Sequence, residues 1–336
     1  MFGYSFRQLI ISLLLLFLSM SAFFGCRLPG SEEVEPFREE PGQGEGELAL
    51  PPGLEAEPGQ EPVLRVYIAE EGAVKEMPME EYIAGVVAGE MDLDWPIEAL
   101  AAQAIIARTF TLQKIVEEGG VSDKNAHAST DIEEFQAYNA AEITERVRKA
   151  VGMTRGKVAV HKNEYIRGWF SAYAGPRTAL ADEGLGFDEG NPPYIHIVES
   201  PGKRIVPEEE GEWEHQFDLE EVRQAVLEQT GKDPGPVEKV EIVEKGPSGR
   251  ATLLRINDEE IEAPDFRLAL GSTEMRSTFL EELELEEGML KMAGTGYGHG
   301  VGMCQWGARA MAEEGKTHEE IVSYFYKDVD IVKIWD

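Results

Sequence analysis

Cysteine is nearly missing from this chain of 336 residues, which holds only Cys26 and Cys304. A framework of disulfides is therefore excluded. Basic residues are scarce as well: 31 Lys and Arg stand against 64 Asp and Glu, a net charge of 31 − 64 = −33. Such a chain repels phosphate backbones, which argues against nucleic acid as a partner. Long hydrophobic runs are absent outside the N-terminus, and no internal repeat is evident. The glycine-rich stretch 294-GTGYGHGVG-302 follows no dinucleotide-binding βαβ unit and matches no phosphate-loop spacing.

What is present begins with an export signal. Arg7 precedes Leu9 to Phe24, a stretch of uncharged residues that is short for a membrane span and long enough for a signal-peptide core. The box 23-FFGC-26 resembles a bacterial lipoprotein cleavage site, with Phe23 where leucine is usual. Residues 1–26 thus read as a signal peptide lipidated at Cys26 or as an uncleaved anchor, and either places the protein outside the cytoplasm on the cell membrane. Lipidation would leave Cys304 alone, with no internal disulfide. Residues 27–62 are rich in Glu, Pro and Gly. They read as a disordered tether, its ends roughly 30 Å apart. The globular part is expected over 63–336, and a 42% hydrophobic content can fill its core.

Strands are expected at 63–68, 157–160, 165–173, 194–198, 251–256 and 330–335. Helices are expected at 79–91, 96–116, 141–151, 218–229, 303–314 and 317–326, the last opened by Thr317 and Glu320 in capping-box spacing. Without regular βαβ alternation, this is an α+β fold in a single globular domain.

In 79-MEEYIAGVVAGEM-91 the apolar residues Met79, Tyr82, Ile83, Val86 and Val87 form one helical stripe, and its next member is Glu90. A carboxyl group on a buried face is pushed toward its protonated form, as a general acid requires. Alternatively, Glu90 rotates into solvent at the helix end or pairs with a cation. Gly85 and Gly89 would let another backbone approach this helix closely. In 96-PIEALAAQAIIARTFTLQKI-115, Arg108 shares a face with Leu100 and Ala104; a structural ion pair and a polar substrate suit it equally. Cys304 reads as a small core residue, since His299 lies in no geometry suited to activating a thiol. The alternating glycines allow close approach of a sugar chain or another strand. Tyr297 and Trp306 could stack on sugar faces, and His299 and Gln305 could hydrogen-bond a substrate.

The segments 80-EEYIAGVVAGEMDLDWPIEALAAQAIIARTF-110 and 296-GYGHGVGMCQWGARAMAEEGKTHEEIVSYFY-326 together resemble the SpoIID/LytB family of sporulation peptidoglycan lytic transglycosylases and amidase enhancers. The resemblance spans roughly 63–335, with weaker support from 171-SAYAGPRTA-179 and 272-STEMRST-278. It implies cleavage of peptide-denuded glycan strands, with Glu90 as catalytic acid and no cofactor. Arg108, Tyr297, His299, Gln305, Tyr173 and Arg177 are implied at the substrate. Other sporulation wall hydrolases are implied as partners. The acid would act while the sugar's own C6 hydroxyl closes a 1,6-anhydro ring, so no second carboxylate is needed; Asp92 and Asp94 read as turn and cap residues. A binding or amidase-enhancing module without cleavage is the alternative. Some similar proteins carry a CQ-x-Y motif associated with zinc. Here the motif reads 135-FQAY-138, with only His127 nearby, and no metal is expected.

Overall fold

The computed structural model describes residues 48–336 apart from Pro58. The signal, Cys26 and most of the tether lie outside the described residues. Ordered packing nevertheless starts before residue 63. Leu54 is buried, and Leu48 and Leu50 pack on the main core, so the expected tether from residue 48 onward belongs to the domain. Its few leucines supply the apolar surface that the Glu- and Pro-rich composition concealed.

Strands β1 (Val63–Ile68) and β2 (Ala73–Pro78) form an antiparallel hairpin that runs directly into α1 (Met79–Glu90). Next comes α2 (Ile97–Glu118), whose many alanines leave room for neighbours on all sides. A short β3 (Ala128–Ser129) lies parallel to β1. Then follow α3 (Glu145–Met153), β4 (Lys157–His161), β5 (Glu164–Tyr165), β6 (Phe170–Ser171) and α4 (Ala181–Leu185). The expected strand over 165–173 is therefore reduced to two fragments: at Gly168 a Cβ would lie 3.0 Å from the Ile106 carbonyl oxygen of α2, and Phe170–Ser171 pairs in parallel only with the two residues Met303–Cys304, the Trp169 carbonyl accepting from Met303 N. Residues 194–198 form no strand either, only a single bridge from Ile195 to Tyr326.

A second hydrophobic cluster occupies the middle of the chain. After the short α5 (Glu208–Gly211), it is built from β7 (Glu212–Asp218), α6 (Leu219–Thr230), β8 (Val240–Lys245), β9 (Ala251–Ile256), β10 (Glu259–Glu262), α7 (Ala263–Ala269), β11 (Leu280–Glu286) and β12 (Met289–Thr295). Two three-stranded sheets, β11-β12-β7 and β10-β9-β8, enclose Phe217, Val226, Leu254, Phe266 and Met292. The alternation along β12 turns Leu290 and Met292 inward.

The chain then returns to the first core through β13 (Met303–Cys304), α8 (Gln305–Glu313), α9 (His318–Phe325) and β14 (Asp330–Lys333). The capping box of Thr317 and Glu320 is present at the start of α9. Helix α2 is central here, touching α1, α3, α8, α9 and β4. Strand β14 closes the sheet β14-β4-β5, and Trp335 beyond it is buried.

Candidate active site

Glu90 ends α1, and its surroundings follow from two glycines one turn apart. Tyr138 lies where a side chain at Gly85 would be, and the Gly85 carbonyl accepts from Asn139 N at 2.9 Å. At Gly89 a Cβ would fall 2.7 Å from the Ala137 carbonyl carbon. This close approach lets Ala137 N donate to Glu90 Oε1 at 2.7 Å. The 135–138 segment is itself anchored: Phe135 packs edge-on against Phe110, Gln136 Nε2 donates to Thr111 Oγ1 at 3.2 Å, and Tyr138 stacks on Tyr82. Sequence reasoning missed this role of the segment. Its signal was the spacing of Gly85 and Gly89.

Gln305, the first residue of α8, reaches the same carboxylate with its amide. Its Nε2 also lies 3.5 Å from Gln103 Oε1 on α2. Part of Glu90 still meets solvent, yet protein crowds the carboxyl closely. The resulting loss of hydration outweighs the two hydrogen bonds from Ala137 and Gln305 and pushes its pKa up to about 7. Asp92 Oδ1 accepts from Asp94 N at 3.0 Å, which makes these residues a turn.

Arg108 does not reach this site. Its guanidinium is fully buried, donating to Glu80 Oε1 at 3.2 Å and Oε2 at 2.5 Å and to the carbonyls of Ala104 and Lys157. Glu80 also accepts from Gly156 N at 3.0 Å and Trp335 Nε1 at 2.9 Å. Of the two roles open to Arg108, the ion pair is the one realised, and its donors are spent inside the protein.

The remaining residues gather around the glycine-rich loop. Tyr173 and Tyr297 exchange backbone hydrogen bonds at 3.0 and 2.7 Å. Tyr173 is buried, which raises its phenol to about 12 and removes it from any substrate face. Arg177 is exposed, Tyr297 half-buried. His299 Nδ1 accepts from Val301 N at 3.1 Å, and burial with nearby Arg267 drives its pKa down to about 3, so the ring is neutral. The glycines serve another strand: at Gly302 (φ 71°) a Cβ would lie 2.0 Å from the Trp169 carbonyl oxygen. Trp306 is buried against Trp95, with Arg309 over both rings, so it offers no face to a sugar. The Cys304 sulfur caps α8 by accepting from Gly307 N, and burial raises its pKa. Such a thiol is inert.

The zinc of CQ-x-Y relatives does not fit here. Phe135 is packed in a hydrophobic contact, His127 Nδ1 accepts from Arg65 N at 3.1 Å, and among the described residues no three His, Cys, Asp or Glu side chains are placed to hold a metal.

A family model described as stage II sporulation protein matches residues 67–161, the portion that carries Glu90. The chain is also 30% identical over 293 residues to stage II sporulation protein D of Bacillus amyloliquefaciens, covering 81% of each protein. The chain belongs to the SpoIID family. An uncharacterized protein of Brachyspira hyodysenteriae is 33% identical over 262 residues, covering 77% of this chain and 68% of that one. The amidase enhancer of Bacillus subtilis is 23% identical over 287 residues, 39% of its length. A second model, a domain of unknown function (DUF8618), matches 208–302 of this SpoIID family member, which is largely the part enclosing the second hydrophobic cluster.

Proposed function

We propose that the protein is a peptidoglycan lytic transglycosylase acting in sporulation-associated remodelling of the cell wall, outside the cytoplasm and held at the membrane by its N-terminal residues. The observation that carries this reading is Glu90, a crowded carboxyl with a pKa of about 7. Such a group is populated in both protonation states near neutrality, as an acid that must give up and recover one proton requires.

The protonated carboxyl donates to the glycosidic oxygen as the C1–O bond breaks. The C6 hydroxyl of the same muramic acid attacks C1 and returns its proton to the carboxylate, so the acid is restored and no water is consumed. During the step Ala137 N and the Gln305 amide stabilise the transient carboxylate. A hydrolase would need a second carboxyl at a distance set by stereochemistry; the nearest in sequence, Asp92, is engaged in its turn.

Peptide-free glycan strands incubated with residues 48–336 should yield 1,6-anhydro ends by mass spectrometry. Reducing ends would replace the intramolecular route by hydrolysis. Binding without cleavage would favour the second reading, a module that assists a partner wall hydrolase, which the likeness to the amidase enhancer supports.

A further inference from the structure

Charge is distributed unevenly among the arginines. Arg108, Arg148, Arg155, Arg167, Arg204, Arg223, Arg255 and Arg309 each pair with a carboxylate. Six do not, among the described residues: Arg65 and Arg146, which donate to the carbonyls of Asn125 and Trp95, exposed Arg177, and Arg250, Arg267 and Arg276, the last three lying against the glycine-rich loop. Arg250 lies where a Cβ of Gly300 would be and donates to the carbonyls of Ala174 and Arg177. Its charge is met by buried Glu183 through Ser248, which bonds both.

Arg267 has no such relay among the described residues. It is nine-tenths buried, yet its guanidinium donates to neutral carbonyls, those of Arg276 at 3.1 Å and Ser272 at 3.4 Å. Burial without a counter-charge lowers its pKa to about 10. Arg276 is half-exposed, with its guanidinium 5.3 Å from the Tyr297 ring centre and one amino group on the Glu209 carbonyl. A buried guanidinium left without an anion is costly, and the planar fork of arginine matches a carboxylate. In a chain of net charge −33, this buried guanidinium and the half-exposed Arg276, both beside a half-exposed tyrosine, mark a place for an anionic ligand.

We propose that Arg267 and Arg276, beside Tyr297, form a subsite for a carboxylate on the glycan strand: the lactyl carboxylate of a muramic acid freed of its stem peptide. The proposal rests on the glycan-cleaving reading above. The loop that carries Tyr297 and His299 leads to Gln305, which holds Glu90; the eight residue steps from Tyr297 to Gln305 span at most about 29 Å. One extended strand can therefore meet both the acid and the arginines. While a peptide is attached, the lactyl group is a neutral amide; once the peptide is removed, it is an anion. The subsite distinguishes the two chemically.

The test uses the full chain carrying Glu90→Gln, titrated calorimetrically with peptide-free glycan strands and with the same strands after conversion of their lactyl groups to methylamides. The carboxylate strands should bind about tenfold to a hundredfold more tightly, as for charge-assisted hydrogen bonds. Adding Arg276→Gln should remove most of that preference without changing the melting temperature, and Arg267→Lys, which keeps the charge but loses the fork, should reduce it. Equal binding of the two strands would overturn the subsite, as would full selectivity retained in a folded Arg276→Gln protein. Tighter binding of poly(glycerol phosphate) would also overturn it, assigning the cluster to a phosphate polymer. Cleavage by the wild type without selectivity would leave the enzyme reading standing. Failure to bind or cleave any glycan would remove both.

Discussion

Replacing Gly89 by alanine perturbs the acid without altering it. The new Cβ would sit 2.7 Å from both the Ala137 carbonyl carbon and Tyr138 N. These are backbone atoms, which cannot swing aside as a side chain can. Alanine is the better helix former by about 1 kcal/mol, but overpacking costs about 1–3 kcal/mol, so the clash prevails and the 137–139 segment shifts off α1. The bond from Ala137 N to Glu90 Oε1, 2.7 Å long, is then stretched or lost. That bond favours the charged carboxylate by about 1.5–3 kcal/mol, and losing even half of it raises the pKa by roughly one unit. A proton donor works while protonated and fails as pH rises through its pKa. The alkaline limb of kcat/KM, expected near 7 in the wild type, should therefore move up by about one unit in Gly89→Ala. Initial rates of anhydro-end formation across the neutral range measure it. A variant that cleaves with an unshifted limb would refute the proposed control of Glu90 by Ala137.

Glu90→Gln should lower cleavage by about 10²–10⁴ while strand binding persists. Because the folded-state pKa of Glu90 is raised from 4.5 to about 7, its stabilising contribution is complete below 4.5 and is lost as pH rises through 7. The loss is at most about 3 kcal/mol, reduced by its partial exposure to solvent. Urea unfolding at acid and mildly alkaline pH should show this fall in the wild type, and Glu90→Gln should lack it. Glu80→Gln leaves Arg108 buried without its counter-charge and should cost about 3–5 kcal/mol in urea unfolding; a near-neutral result would contradict the buried pair. Leu54→Ala should cost about 2–5 kcal/mol, whereas a free tether would register no change.

Helices α1, α2, α8 and α9 were legible because their apolar spacing, alanine content and caps are local signals. The crowded position of Glu90 was legible for the same reason, since the residue continues an apolar stripe. Of the middle sheets only β9 was, its 251-ATLLRI-256 matching the expected strand; the other strands were not. Strand β11 reads 280-LEELELE-286, and its glutamates outweigh the apolar residues that alternate with them; β7 and β8 hide in the same way. Arg108 carried two readings because its partner lies 28 residues away, on a helix position off the stripe. Burial of Trp306 and Tyr173 likewise depends on contacts across the chain, with Trp95 in one case and the 297 loop in the other. No local pattern encodes such contacts.

Trp335 donates to Glu80 across 255 residues, and its ring lies beneath Arg108. The first helix of the domain is thus fastened by a side chain synthesised 255 residues later. While the chain emerges, Glu80 and Arg108 have no roof, and β4 lacks β14 along one edge. Completion of the first core waits on residue 335. Without residues 330–335, β4 would keep an open edge and the charge pair would stay half-covered, so the first core cannot close until the whole domain has been synthesised.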